Sequence, residues 1–185
     1  MKFRPIVFVL LCVGCFHVTF AQQLTPKMQQ KVAANVNLTP FVGETLCDKS
    51  YVLNVDWLEY QYWLEHTYGK DSEQYKSAIP DPAAARALMP DSIAVVYANH
   101  PLFRNRPVLG VSPEQAAAYC RWRSDRVAES MLVQQLKVRT FKFTTDTNIF
   151  SLDDYIAPEG VQFLRFFVPA DMDTRYGFYC FAVWR

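Results

Sequence analysis

Histidine is nearly absent from this chain, three residues among 185, and one of them, His17, lies inside an apolar N-terminal run. With only His66 and His100 beyond that run, no motif singles out a serine–histidine–aspartate arrangement, and a mononuclear metal site that needs two or three nitrogen ligands is poorly served. Glycine is scarce too, six residues, and none of them builds the glycine-rich loop that cradles a phosphate. Excess charge of either sign is missing, 19 Lys+Arg against 18 Asp+Glu, which points away from nucleic acid and from an anionic membrane surface as partners. Internal repeats and low-complexity tracts are also lacking.

One long hydrophobic run is present, at the start. Met1-Lys-Phe-Arg4 is a positive leader, Pro5 to Phe20 is nearly all apolar, and Thr19-Phe20-Ala21 places small residues before Gln22, so residues 1–21 read as a signal peptide. The run falls short of the roughly 20 apolar residues that span a bilayer. The chain is therefore expected to be exported. Leu11-Cys-Val-Gly14-Cys15 loosely resembles a lipoprotein cleavage box, which makes Cys15 a candidate lipid anchor and the only expected attachment to a membrane. Removing residues 1–21 takes away Lys2 and Arg4 and leaves 17 basic against 18 acidic residues, a formal charge of −1.

Cysteine usage fits export. Cys47, Cys120 and Cys180 remain after cleavage at Ala21, and an oxidising compartment favours pairing two of them. Cys120 with Cys180 is the expected disulfide; it closes a loop of about 60 residues, for which chain entropy gives on the order of 4 kcal/mol. Cys47 is left over, as a buried or half-buried free thiol, with intermolecular pairing or service as a reactive thiol as the alternatives.

Residues 22–40 are polar and poorly patterned and read as a flexible or loosely docked N-terminal arm; residues 41–185 are expected to form one domain. Phe41 to Val52 reads as a strand region, followed by a helix over Val55 to Tyr68 capped by Asn54 and closed by Gly69. Trp57, Leu58, Tyr60, Tyr62, Trp63 and Leu64 make that helix apolar round much of its circumference, so cover on more than one side is expected. Lys70 to Arg106 is rich in turn signals and reads as a long irregular connection with a short helix at Pro82 to Leu88. Ser112, Pro113 and Gln115 are an N-cap, a first-turn proline and a capping-box partner, so a second long helix starts at Pro113. Its apolar stripe is Ala116, Tyr119, Cys120 and Val127, with Arg121, Arg123, Asp125 and Arg126 mostly off it. Beyond it, the alternation at Phe141, Phe143 and Thr145, the run Val161 to Val168 and the closing Gly177 to Trp184 read as strands. The fold class is α+β, with two helices early, a small antiparallel sheet late and extensive loops.

Four segments carry a family resemblance: Asp48-Lys-Ser-Tyr-Val-Leu-Asn54 leading into an aromatic helix, Tyr97 to Arg104, Pro107 to Arg126, and the terminal Gly177-Phe-Tyr-Cys180. Together they resemble the formylglycine-generating enzyme, or sulfatase-modifying-factor, domain, and most closely its branch of gliding-motility and secretion-associated lipoproteins. The resemblance covers about Phe41 to Glu129 and the last ten residues or so, with Pro107 to Arg126 the most specific part. It implies a variant of the C-type lectin-like fold, and it supports the Cys120–Cys180 disulfide, which many members of the family possess. The chain looks like a shortened relative. Val127 to Asp173 stands where the family carries an arginine-leucine-proline-threonine segment and a long loop-rich stretch that builds its active and metal sites.

The family's chemistry is not matched residue by residue. Its oxidases hold copper through two closely spaced cysteines near the C-terminal end, and no such spacing occurs here. A related branch holds iron through histidines, whereas His66 sits late in an aromatic helix and His100 precedes Pro101 in a loop, positions that suit packing or surface residues. Asp153-Asp154 and Asp171-Met-Asp173 beside Arg175 read as solvated turns rather than acid–base pairs or calcium ligands. The aromatic clusters at Trp57 to Trp63 and Phe163 to Phe167 read mostly as core, with some rings free to line a groove. No cofactor and no catalytic or metal residue is expected. The function expected is that of an exported, non-catalytic module whose partner is a cell-envelope protein or a glycan, within an assembly for gliding or secretion; the alternative is a metal-dependent oxidase of the formylglycine-generating type.

Replacing Cys120 or Cys180 with serine is expected to lower stability by about 4 kcal/mol and to impair export-competent folding. A Tm that does not move on reduction of the exported protein would eliminate the Cys120–Cys180 bond.

Overall fold

The computed structural model describes residues 24–143, 149–157 and 159–185. The expected signal peptide, the candidate anchor Cys15 and Thr145 lie outside the described residues. Among the described residues the chain is mixed, with six α-helices and one four-stranded antiparallel sheet. No described helix is long and apolar enough to cross a membrane.

The longest helix, α6 (Pro113–Gln134), begins as its sequence directs. The Ser112 hydroxyl accepts from the Gln115 N–H at 3.2 Å while the Gln115 side chain accepts from the Ser112 N–H at 2.8 Å, so two orphan donors of the first turn are satisfied reciprocally. Ala116, Tyr119, Cys120, Ser124, Ala128, Met131 and Leu132 follow at three- and four-residue steps and form its buried face; Val127 is half-buried on the edge of that stripe.

Helix α2 (Asn54–Tyr68) ends at Gly69 as expected, but its start differs. Leu53 holds the cap position and its N–H is met by the Asp56 carboxylate at 2.9 Å. Asn54 lies inside the first turn, fully buried, and its side-chain amide donates to the carbonyls of Tyr97 and Phe103 at 3.2 and 3.0 Å. It ties the long connection to the helix instead of capping it. Trp57, Tyr60 and Leu64 are buried, with the Trp57 ring stacked on Tyr119 at 5.4 Å, whereas Tyr62 on the opposite side is exposed. Helix α2 is covered on more than one side, by α6 at Tyr119 and by the connection that follows it at Ala78, Tyr97 and Phe103, and a stripe at Glu59, Tyr62 and His66 stays open to solvent.

The sheet draws on both ends of the chain. β1 (Leu38–Pro40) and β2 (Leu46–Asp48) form an early hairpin, and β3 (Leu164–Phe167) and β4 (Phe181–Trp184) come late; the order is β1-β2-β4-β3 with every pair antiparallel. Cys47 faces Phe181 across β2 and β4, and Phe166 faces Ala182 across β3 and β4. The strand region expected at Phe41 to Val52 holds β2, while β1 lies in the expected arm; the sheet is thus not only late, because the terminal strand needs a partner on each side and the early hairpin supplies one. The Phe141–Phe143 alternation forms no ladder in its described part, only an isolated bridge from Phe143 to Tyr155.

Two further segments are more ordered than their sequences indicate. Pro26–Asn35 is a helix, α1, capped by the Thr25 hydroxyl, and Leu24, Val32, Ala33 and Leu38 reach the core, so the expected loose arm is docked from Leu24 onward. Met28, Val32, Ala33 and Val36 recur at the three- and four-residue steps of a helix face, a pattern of barely two turns in an otherwise polar stretch. Between Lys70 and Arg106 the chain folds into α3 (Glu73–Ser77), α4 (Ala83–Leu88), α5 (Asp91–Ala94) and a 3₁₀ turn at Pro101–Phe103, of which only the segment at Pro82 to Leu88 was expected. Ala84, Ala85, Ala94, Tyr97 and Leu109 pack there into a second, smaller core.

Gly110 joins this connection to the start of α6. Its backbone bonds Asp81 N–H at 2.8 Å and Arg175 carbonyl at 2.7 Å, its φ is +77°, and a Cβ would sit 1.9 Å from the Asp81 carbonyl oxygen. Gly69 has φ +91° but open space around it. Gly110→Ala is expected to lower stability by about 2–4 kcal/mol, and Gly69→Ala by only about 1 kcal/mol, because the first adds a backbone clash to the strain both share. Urea unfolding of the two variants reads the order; equal losses would show that the Asp81 contact yields.

Candidate functional site

At the crossing of the sheet and α6, Asp48 closes β2 with its side chain 5% exposed. Its Oδ2 accepts from Arg123 Nη1 at 2.8 Å and from the Cys180 N–H at 2.9 Å. Arg123 Nη2 donates to the Val36 carbonyl at 2.8 Å, and the guanidinium lies 4.3 Å over the Phe166 ring. Burial works against the charge of Arg123, but the hydrogen bond to Asp48 and the fields of Cys180, Asp48 and Tyr119 outweigh it and raise its pKa. Ser124, one residue on, donates to the Cys120 carbonyl and accepts from the Phe166 N–H, both at 2.8 Å, so α6 is pinned to β3 as well.

Cys120 and Cys180, the expected disulfide partners, meet within this node, both fully buried, with their sulfurs 3.1 Å apart against the roughly 2.05 Å of a closed bond. Burial and then the bond to Cys120 push the Cys180 thiol well above its ordinary pKa.

Two clefts open beside the node. The first, about 460 Å³, lies between the end of α1, β2, α2 and α6, and Asp48, Asp56, Glu59, Trp122, Arg123 and Arg126 line it with Tyr51 and Tyr119. Burial raises the pKa of Asp56; the Leu53 N–H and Arg123 oppose this, and Asp48 adds to it. The second, about 540 Å³, lies between α2, α3, α6 and the segment 149–154. Tyr60, Trp63, Tyr68, Trp122 and Phe150 supply its rings and Asp125 and Asp154 its carboxylates. Asp125 accepts from the Leu152 N–H at 2.8 Å, and burial raises its pKa against the pull of that bond and of Arg126. Arg126 pairs with Glu129 at 2.7 Å, donates to the Phe150 carbonyl at 2.7 Å and lies 4.9 Å over the Trp63 ring.

The residues singled out from sequence do not converge. His66 is exposed near the end of α2, 2.9 Å from the Tyr62 carbonyl and tilted against the Tyr62 ring, 3.8 Å between centroids. His100 is exposed and accepts from the Leu102 N–H at 3.2 Å. Cys47 is half-buried in β2, and burial followed by Asp48 raises its pKa, which reduces the thiolate fraction a reactive thiol needs. Asp153 pairs with Arg165 at 2.8 Å, and Asp173 pairs with Arg175 at 2.9 Å, a turn of paired charges. Among the described residues no group of three His, Cys, Asp or Glu is placed to hold a metal ion. Of the aromatic clusters, Trp57, Tyr60, Phe163 and Phe166 are core, and Trp63 lines the larger cleft.

Asp48 and Arg123, the centre of the site, were not singled out as functional residues from sequence. The only trace of them is Asp48 at the head of the segment before α2 and Arg123 next to the apolar stripe of α6, and neither reports the other's position 75 residues away. No family model, curated protein or solved structure matches the chain.

Asp48→Ala is expected to cost about 3–5 kcal/mol, because it strands a buried guanidinium, and to cost much less when combined with Arg123→Met. A double-mutant cycle by urea unfolding measures the coupling; additive losses would show that the two charges are independently solvated.

Proposed function

We propose that this protein is an exported, non-catalytic binding or structural module of a cell-envelope assembly connected with gliding or secretion. The fold is read as a shortened formylglycine-generating-enzyme type, a variant of the C-type lectin-like fold. The observation that carries the binding role is the pair of clefts lined by rings and carboxylates on either side of Trp122, in a chain whose described histidines, His66 and His100, are engaged in local contacts. Concave sites with aromatic walls and a few placed polar groups are the usual form of a binding site. The family likeness of Asp48 to Asn54, Pro107 to Arg126 and Gly177 to Cys180 supports the envelope assignment.

A metal-dependent oxidase is the second reading, and one observation favours it: Cys120 and Cys180 place two soft ligands side by side. Their complete burial and the raised pKa of Cys180 weigh against it, since a copper site needs thiolates and substrate access.

Affinity purification of the tagged full-length protein from its native envelope after mild cross-linking is expected to capture one envelope protein or glycan in stoichiometric amount. Recovery of the protein alone, together with copper-dependent oxygen consumption by the purified chain, would overturn the binding role in favour of the oxidase.

A further inference from the structure

Of the residues that line the larger cleft, Leu64 and Phe150 are buried, Trp63, Trp122 and Asp125 half-buried, and Tyr68 and Gln74 exposed, so aromatic rings and polar groups meet solvent in it rather than bare core. Its volume, about 540 Å³, is that of a small-ligand site. The rings are held in place by one another: Trp122 leans on Tyr60 at 5.1 Å and on Trp63 at 6.3 Å, and Tyr68 stands edge-on to Trp63 at 5.8 Å. The Asp125 carboxylate is held as well. One oxygen, Oδ1, accepts the Leu152 N–H at 2.8 Å; the other, Oδ2, is open to solvent, unlike the sealed Oδ1 of Asp48, and has no donor among the described residues.

These features narrow the chemistry of the ligand. Among the described residues two carboxylates and no basic side chain line the cleft, which disfavours an anion. The Trp63 ring already carries the Arg126 guanidinium 4.9 Å over it, so an organic cation against that ring would meet a like charge. A purely apolar guest would strip water from Asp125 Oδ2 and offer it no donor. A pyranose ring satisfies all three conditions. It is uncharged, its C–H groups form an apolar face that lies on an aromatic ring, and its hydroxyls donate to a carboxylate or an amide oxygen.

We propose that the larger cleft binds a neutral pyranose unit of a glycan, with the C–H face of the sugar against Trp63 and Trp122 and its hydroxyls donating to Asp125 Oδ2. The assignment rests on the binding role proposed above and deepens it, since it commits this cleft to a glycan.

Saturation-transfer NMR and isothermal titration of the purified full-length chain with the methyl glycosides of glucose, galactose, mannose and N-acetylglucosamine, and with tetramethylammonium as the cationic control, test the site. At least one glycoside is expected to bind in the millimolar range or tighter. Asp125→Asn, whose amide oxygen still accepts the Leu152 N–H, is expected to weaken that binding about tenfold, and Tyr68→Ala, at the exposed rim, about threefold, with thermal melting of both variants as the check on folding. Failure of every glycoside to bind, or wild-type affinity in both variants, would overturn the site. Tetramethylammonium binding more tightly than any glycoside would overturn the sugar as its ligand. Absence of glycoside binding while a cross-linked envelope partner is still captured would eliminate this assignment and leave the binding role standing, whereas glycoside binding with no partner captured would keep the cleft and remove the assembly.

Discussion

The buried Asp48 carboxylate is the point at which four parts of the molecule meet. It ends β2, holds Arg123 of α6, and accepts the N–H of Cys180 just before β4; through Arg123 it reaches the Val36 carbonyl at the end of α1. A charge at this depth is tolerated because its Oδ2 meets both a counter-charge and a backbone donor, and that requirement orients each of those elements at once. Arg123 is matched in the same way, by a carboxylate, a carbonyl and the face of Phe166. The pair is a constraint on geometry more than a source of net stability, since desolvation of two charges offsets most of their attraction.

Around that node the apolar packing is mostly aromatic. Trp57, Tyr60 and Tyr119 form a cluster between α2 and α6, Phe178 lies edge-on to Trp57 and Tyr119, and Phe166 underlies Arg123. Large rigid rings fill volume with few rotatable bonds, which suits a chain whose sheet strands are only three or four residues long. The same rings continue outward at Trp63 and Trp122, where they become the walls of the two clefts. Core and candidate site therefore share the same rings.

How much of this was legible depended on whether the information was local. Ser112, Pro113 and Gln115 specified the start of α6 to the residue, and Gly69 specified the end of α2, because capping is settled by side chains three or four positions away. Asn54 misled for the same reason: it has the chemistry of a cap, but its amide finds better partners 43 and 49 residues on, and Leu53 is left as the cap. Helix α1 was missed because its apolar positions cover barely two turns of a polar segment; of the hairpin, β2 fell inside the strand region read at Phe41 to Val52 and β1 in the stretch read as an arm, because three-residue strands show no period.

The sequence by itself determined the mixed fold class, the two long helices, the inward face of Cys120 and the scarcity of histidine that limits the chemistry available. Tertiary structure alone decided that β4 lies between an early hairpin and a late strand, that Asp48 meets Arg123, and that Asp56, Glu59 and Trp122 share a cleft. The division has a physical origin. Helix propensity, capping and amphipathic period act over a few residues, whereas strand order and charge pairing are chosen by which distant groups leave the fewest buried polar atoms unmatched.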